Sequence, residues 1–193
     1  MQPQSTIMCI LKGIGYIVLG NIMCLFMTMG LTMFCSNIVF NALAILCGTL
    51  IFHLLMFTVA WQDGDRQRVM LQNKRIDTPT KHRWIFIGIL LAVIAAVPTI
   101  VLLLNKLLFP EADTLYLYPF LSGSAYPYLQ TFVPTVVTEG EAWAPTTLRR
   151  IDLMSPVFPA LMLIFYAIIP AVTQLGYYIG LKDMLNKDKI MYK

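Results

Sequence analysis

Three polar side chains interrupt long apolar runs of this sequence and could do chemistry inside them: Asn21, His53 and Gln174. Each lies seven or eight residues from the basic end of its run, which in a helix rising 1.5 Å per residue is a depth of about 10–12 Å. In one interpretation they form an inward-opening polar pocket where His53 binds a substrate or senses protons, because imidazole titrates near neutral pH. In the other, which we favour, the three side chains hydrogen-bond to one another and hold the helices together.

Other residues with catalytic side chains are poorly arranged for catalysis. Glu139 and Glu141 are interpreted as solvated acids on a loop, and Ser122 and Ser124 have no histidine in their part of the chain. The acidic turn 63–65 (Asp-Gly-Asp) is similar to the pairs that hold divalent ions on sugar nucleotides, but we interpret it as a charged turn that ends a helix. We therefore predict no catalytic residue, no cofactor and no metal site, and we predict that the chain is not an enzyme.

Composition places the chain among membrane proteins. Of its 193 residues 58% are hydrophobic and only 12% are charged, whereas about 25% of the residues of a soluble domain are charged. No acidic residue lies in an apolar run, which argues against a carboxylate proton relay within the bilayer. The net charge of +4 does not indicate nucleic acid, because the cations cluster beside the apolar runs. The four cysteines form no CxxC pair and support neither disulfides nor zinc.

Four apolar runs are each long enough to cross about 30 Å of hydrocarbon, which takes about 20 helical residues. We predict an all-α integral membrane protein in which four transmembrane helices form a compact bundle. The whole chain, 1–193, is interpreted as a single membrane domain. The predicted spans are 14–35, 38–60, 84–108 and 157–181, with an inner loop at 61–83 and an outer loop at 109–155.

The distribution of Lys and Arg predicts the orientation. Six of the fourteen cations lie between Trp61 and Trp84, and tryptophan is typical of the headgroup level. Eleven fall in the segments assigned to the inner side and three in the outer ones, so we predict a cell-membrane protein with both termini cytoplasmic. The three outer cations are Lys106, Arg149 and Arg150.

The outer loop is too aromatic for a disordered linker and too long for a simple turn. Its aromatic residues alternate with prolines at positions 110, 119, 127, 134 and 145. We expect a large structured loop that lies against the outer headgroups and is partly re-entrant. It could bind a lipid, a peptide or a partner, or it could only close the end of the bundle, and the sequence leaves both open.

Small residues four apart offer each predicted span a face on which another helix can pack closely. Gly176 and Gly180 form one such pair, which we interpret as packing within the chain in preference to dimerisation. Pro98 and Pro170 lie near the middle of spans 3 and 4, and each is expected to kink its helix by removing an amide donor. The kinks could serve as gates or could only improve packing.

These patterns favour a non-catalytic accessory or scaffolding subunit of a larger membrane assembly. Its expected partners are the lipid bilayer and another membrane protein or a second copy of itself, with no nucleic acid. The alternative is a small oligomeric transporter or channel built around Asn21, His53 and Gln174. An enzyme acting on lipid or cell-wall precursors at the outer face through Glu139 or Glu141 is the third and weakest hypothesis.

Overall fold

Four helical segments long and apolar enough to cross a membrane dominate the computed structural model of the chain. They are α1 (Thr6–Phe34), α2 (Ile38–Gln72), α3 (Arg83–Leu108) and a fourth span made of α6 (Val157–Ala167) and α7 (Ile169–Lys182). The predicted helical class and the four helices long and apolar enough to span a membrane are therefore confirmed, as a multi-pass membrane protein requires. The structure describes residues 5–34, 38–76, 78–80, 82–108, 118–132, 135–137, 147–149, 154–155 and 157–182.

Helix 2 does not end where the sequence suggested. The acidic turn 63–65 was expected to break it, yet α2 continues without interruption to Gln72, so the prediction of a helix end near Ala60 is wrong. Gly64 is not a helix breaker but a contact point, since a Cβ atom on it would lie 2.2 Å from the backbone oxygen of Tyr177. The glycine is therefore explained by a close approach of α2 to α7.

Helix 1 also extends further than predicted, because α1 begins at Thr6 and not at Ile14. The charged Lys12 is therefore inside the helix. Its long aliphatic stem lets the ammonium group reach the polar region while the backbone stays helical. Spans 3 and 4 begin within one residue of their predicted positions.

The two prolines act differently on their helices. In span 4 the helix is interrupted at Ile168, two residues before Pro170, as expected when a proline removes the amide that would close the preceding turn. The hydroxyl of Thr173 donates to the carbonyl oxygens of Ile169 at 2.9 Å and Pro170 at 3.1 Å, which supplies local hydrogen bonds next to the interruption. In span 3, α3 passes through Pro98 as one continuous helix.

The connection between spans 3 and 4 contains short elements where the structure describes it. A helix α4 (Tyr118–Leu121), a 3-10 turn (Gly123–Ala125) and a helix α5 (Tyr126–Phe132) follow one another. Farther along, strands β1 (Thr135–Val137) and β2 (Thr147–Arg149) pair antiparallel, with Val136 opposite Leu148. Glu139 and Glu141 lie outside the described residues.

The chain divides into two compact units, and each of the four spans contributes residues to both. We call the unit of Met1–Val18, His53–Ile94 and Ala167–Lys193 the first unit. The second unit consists of Leu19–Phe52 and Ala95–Tyr166.

Candidate functional site

The three residues of the predicted polar layer have different surroundings. In the second unit, Asn21 accepts a hydrogen bond from the backbone N–H of Ser124 at 3.1 Å, and its amide donates to the carbonyl oxygen of Leu121 at 3.5 Å. In the first unit, His53 is half-buried and Gln174 lines a surface groove. Asn21 thus holds the connection between spans 3 and 4, while the common layer of all three residues stays a prediction.

The segment 118–132 forms hydrogen bonds with side chains of the other spans in the second unit. The hydroxyl groups of Tyr118 and Thr99 are 2.7 Å apart, and so are those of Tyr128 and Thr49. Gly123 approaches α1 so closely that a Cβ atom on it would lie 2.0 Å from the backbone oxygen of Asn21. Segment 118–132 is therefore seated among α1, α2 and α3.

Aromatic and hydroxyl contacts join the same segment to α6. Ser122 hydrogen-bonds to the phenol of Tyr166, and both residues are almost completely buried. The ring of Tyr118 packs edge-on against Phe158, with 5.8 Å between the ring centroids. All four spans of the second unit thus contact this segment.

The irregular backbone of segment 118–132 is enclosed by protein in the second unit. Ser122, Ser124 and Ala125 are each no more than 1% exposed. Irregular backbone inside hydrocarbon is tolerated only where protein surrounds it. A re-entrant position of this segment in the membrane stays a prediction.

The hydrogen bond between Thr99 and Tyr118 gives a first prediction. Thr99→Val keeps the side-chain shape but removes the partner of a buried phenol, and we expect the free energy of unfolding to fall by about 1–3 kcal/mol. SDS titration from mild micelles, followed by tryptophan fluorescence, measures it. The control is Thr58→Val, because the Thr58 hydroxyl donates to Leu54 within its own helix. Equal effects of the two variants would contradict a role for Thr99 in holding the segment.

In the first unit the principal polar cluster surrounds Asp63, whose side chain is only 4% exposed. Its Oδ2 atom accepts the indole N–H of Trp84 at 2.9 Å and lies 3.8 Å from a guanidinium nitrogen of Arg83. The indole and the guanidinium come from the first turn of α3, so this cluster joins α2 to α3. We call Cys9, Asp63, Gln67, Arg83, Trp84 and Tyr177 the Asp63 cluster.

Two further contacts bring the other spans into the Asp63 cluster. Gln67 lies one helical turn after Asp63, and its side-chain oxygen accepts the hydroxyl of Tyr177 on α7 at 2.7 Å. On the other side, Arg83 donates to the sulfur of Cys9 on α1 at 3.2 Å. Four helices therefore meet at one set of hydrogen bonds around a buried carboxylate.

A small cavity of about 50 Å³ lies beside the Asp63 cluster. Besides Cys9, Asp63 and Trp84, its walls are formed by Lys12, Val59, Gln62 and Arg66. The other carboxylate oxygen of Asp63, Oδ1, is buried and has no hydrogen-bond partner among the residues that the structure describes. A buried acceptor of this kind is costly, so it marks a place where a donor is expected.

The sequence missed the Asp63 cluster because the region 61–72 was interpreted as a loop. A signal was available, since Val59, Asp63, Gln67 and Met70 recur at spacings of three and four and form one face of a helix. All four are buried. A metal centre is not indicated within the described part of the chain, where no three His, Cys, Asp or Glu side chains gather.

Comparison of the chain with protein-family models, curated proteins and solved structures gives no match.

Proposed function

We propose that this chain is a non-catalytic accessory or scaffolding subunit of a larger membrane assembly. The observation that carries the proposal is that polar side chains of the spans are used for hydrogen bonds within the chain: Asn21 to the backbone of the 118–132 segment, Thr99 to Tyr118, and Asp63 to Trp84. Interhelical hydrogen bonds of this kind hold helices together in lipid. Polar side chains that hydrogen-bond within the protein, and so hold its helices together, are typical of a structural subunit.

The apolar outer surface supports the same proposal. In the most apolar stretch of each span only 28–39% of the residues are buried, so most of the span surface faces lipid or another protein. A groove of about 470 Å³ in the first unit follows the start of α7, next to the interruption at Ile168. Its walls are Ile85, Pro170, Ala171, Gln174, Leu175 and Tyr178, and a transmembrane helix of the partner membrane protein is the occupant we propose.

The placement in the membrane completes the proposal. We propose a compact four-helix arrangement in the cell membrane, with both termini cytoplasmic and the connection between spans 3 and 4 as a large structured outer loop. The excess of cations between α2 and α3 supports this orientation. Reporter fusions placed after Lys74 and after Phe132 should report opposite sides of the membrane.

One observation favours a second candidate, a small oligomeric transporter or channel. Interrupted helices and non-helical backbone at membrane depth occur where a protein lines a cavity or moves a solute. Span 4 is interrupted at Ile168 and the 118–132 segment is seated among the spans. In this alternative His53 and Gln174 would face the pathway, while Asn21 would position the re-entrant segment.

Gentle solubilisation tests the proposed function. We expect the chain to co-purify in fixed proportion with an unrelated membrane protein, and Ala171→Trp to release that protein by filling the groove. Ile164→Trp is the matched control, because Ile164 is an outward-facing residue of the same span, 61% exposed. A purified self-oligomer that moves solute across liposomes would instead support the transporter.

A further inference from the structure

The cavity beside the Asp63 cluster lies at the ends of spans where lipid headgroups are expected. It is bounded by residues near the start of α1, the end of the apolar part of α2 and the start of α3. Trp84 forms one wall, and tryptophan side chains concentrate at the boundary between hydrocarbon and headgroups. Lys12 forms another, on a stem long enough to place its ammonium group in the headgroup layer.

The walls of the cavity carry charges of both signs. Asp63 contributes a buried carboxylate, and Lys12 and Arg66 contribute two cations. A simple anion can pair with Lys12 and Arg66 but not with Asp63, and a simple cation can pair with Asp63 but not with Lys12 and Arg66. A ligand with a positive and a negative group side by side satisfies both sets of charges.

We propose that this cavity receives the primary ammonium group of a zwitterionic phospholipid, whose phosphate lies at the mouth of the cavity. The ammonium donates hydrogen bonds to the Asp63 carboxylate, and the phosphate contacts Lys12 and Arg66. This assigns a specific lipid to the chain and goes beyond its role as a subunit, which could hold with or without a bound lipid.

Asp63 is suited to the ammonium because its two oxygens differ. Oδ2 already accepts from Trp84 and faces Arg83, whereas Oδ1 is buried without a hydrogen-bond partner in the described chain. A charged donor that reaches Oδ1 would give this buried acceptor a charge-assisted hydrogen bond.

Hydrogen-bond donors on the ligand select among ammonium groups. The cavity is small, about 50 Å³, and a primary ammonium carries N–H groups that can donate to Oδ1. The trimethylammonium of a choline headgroup is larger and has no N–H to donate. The site should therefore distinguish ethanolamine from choline headgroups on the same phosphate.

A methylation series tests this selectivity. The full chain is purified in detergent micelles, where bilayer curvature stress is absent, and titrated with lipids of identical acyl chains. Phosphatidylethanolamine, its N-methyl and N,N-dimethyl forms, phosphatidylcholine and phosphatidylglycerol are compared by native mass spectrometry. We expect phosphatidylethanolamine to bind about tenfold more tightly than phosphatidylcholine, the change expected for losing one charge-assisted hydrogen bond. Equal affinities for these two would overturn the proposal, and so would tighter binding of phosphatidylglycerol.

Two variants test which residues bind the ammonium group and the phosphate of the headgroup. Asp63→Asn keeps an acceptor for Trp84 but loses the charge, so it should abolish the preference for ethanolamine over choline. Lys12→Gln, on an exposed side chain, should weaken the binding of both lipids about tenfold. Lys74→Gln is the control, an exposed cation after the end of α2. Unchanged binding by Lys12→Gln, or equal weakening by Lys74→Gln, would show that no phosphate is held here.

Discussion

Replacing Gly64 by alanine should lower the free energy of unfolding by about 3 kcal/mol, because the contact it disrupts is between two backbones. The added Cβ would lie 2.2 Å from the backbone oxygen of Tyr177 and 3.0 Å from the backbone nitrogen of Leu181. A flexible side chain could move aside at little cost, but a helix backbone cannot. To relieve the overlap, α2 and α7 must separate, and the packing along both helices is lost.

Two glycines of α7 contact the backbone of α2 just as closely. A Cβ atom on Gly180 would lie 2.3 Å from the backbone oxygen of Trp61, and one on Gly176 would lie 2.5 Å from that of Phe57. The pair predicted to pack within the chain therefore does so, against α2. We expect Gly180→Ala to be about as damaging as Gly64→Ala, and the double variant to cost less than the sum, since one separation of the helices relieves both overlaps.

Gly15→Ala is the matched control for these glycine variants. Gly15 is also inside a helix, but nothing lies within 4 Å of the Cβ it would gain. Alanine has the higher helix propensity, so this variant should change stability by less than about 1 kcal/mol, in the stabilising direction. SDS titration of the three proteins in the same micelles makes the comparison. A loss at Gly15 equal to that at Gly64 would mean that helix flexibility, and not the approach of α2 to α7, requires glycine.

The sequence predicted elements whose signals are local and failed where the deciding contact is distant. Spans 2 and 3 start where predicted, since twenty or more apolar residues identify a span without knowledge of its neighbours. The end of α2 was missed because Asp-Gly-Asp is a turn signal in isolation. Only the position of Tyr177, more than a hundred residues later, explains why a glycine is needed there.

The candidate sites show the same division. The sequence singled out Asn21 as a polar residue within an apolar run, but its hydrogen bonds to residues 121 and 124 depend on a chain reversal that periodicity does not encode. The alternation of prolines and aromatic residues predicted a structured, partly re-entrant connection; residues 118–132 do contain short helical elements, and their re-entrant position stays a prediction. Which span each tyrosine of this segment contacts follows from the tertiary fold alone.

Asp63→Leu should be the most damaging substitution in the first unit, lowering the free energy of unfolding by about 3–5 kcal/mol. It removes the acceptor of the Trp84 indole N–H and the carboxylate partner of Arg83, whose side chain is only 11% exposed. Breaking one side of a buried ion pair leaves the other charge without compensation in a poorly solvated place. Asp63→Asn, which still accepts from Trp84, should cost less.

Asp65, in the same helical turn as Asp63, allows the effect of burying an ion pair to be separated from the effect of the distance between its charges. Asp65 lies only 2.6 Å from Arg68, nearer than Asp63 lies to Arg83, but its side chain is 24% exposed. Because exposed ion pairs contribute little, Asp65→Asn should cost less than about 1 kcal/mol despite the shorter distance. Unfolding titrations of both variants decide between the two factors, and a larger effect at Asp65 would show that the shorter pair matters more.

Removing both charges tests whether the loss at Asp63 comes from the stranded cation. In the double variant Asp63→Leu, Arg83→Met no buried charge is left, and apolar replacements of buried ion pairs are often neutral. We expect it to recover at least half of the stability lost by Asp63→Leu alone, as measured by the same unfolding titration. No recovery would mean that the hydrogen bond from Trp84, and not the charge of Arg83, is what Asp63 provides to the four helices that meet around it.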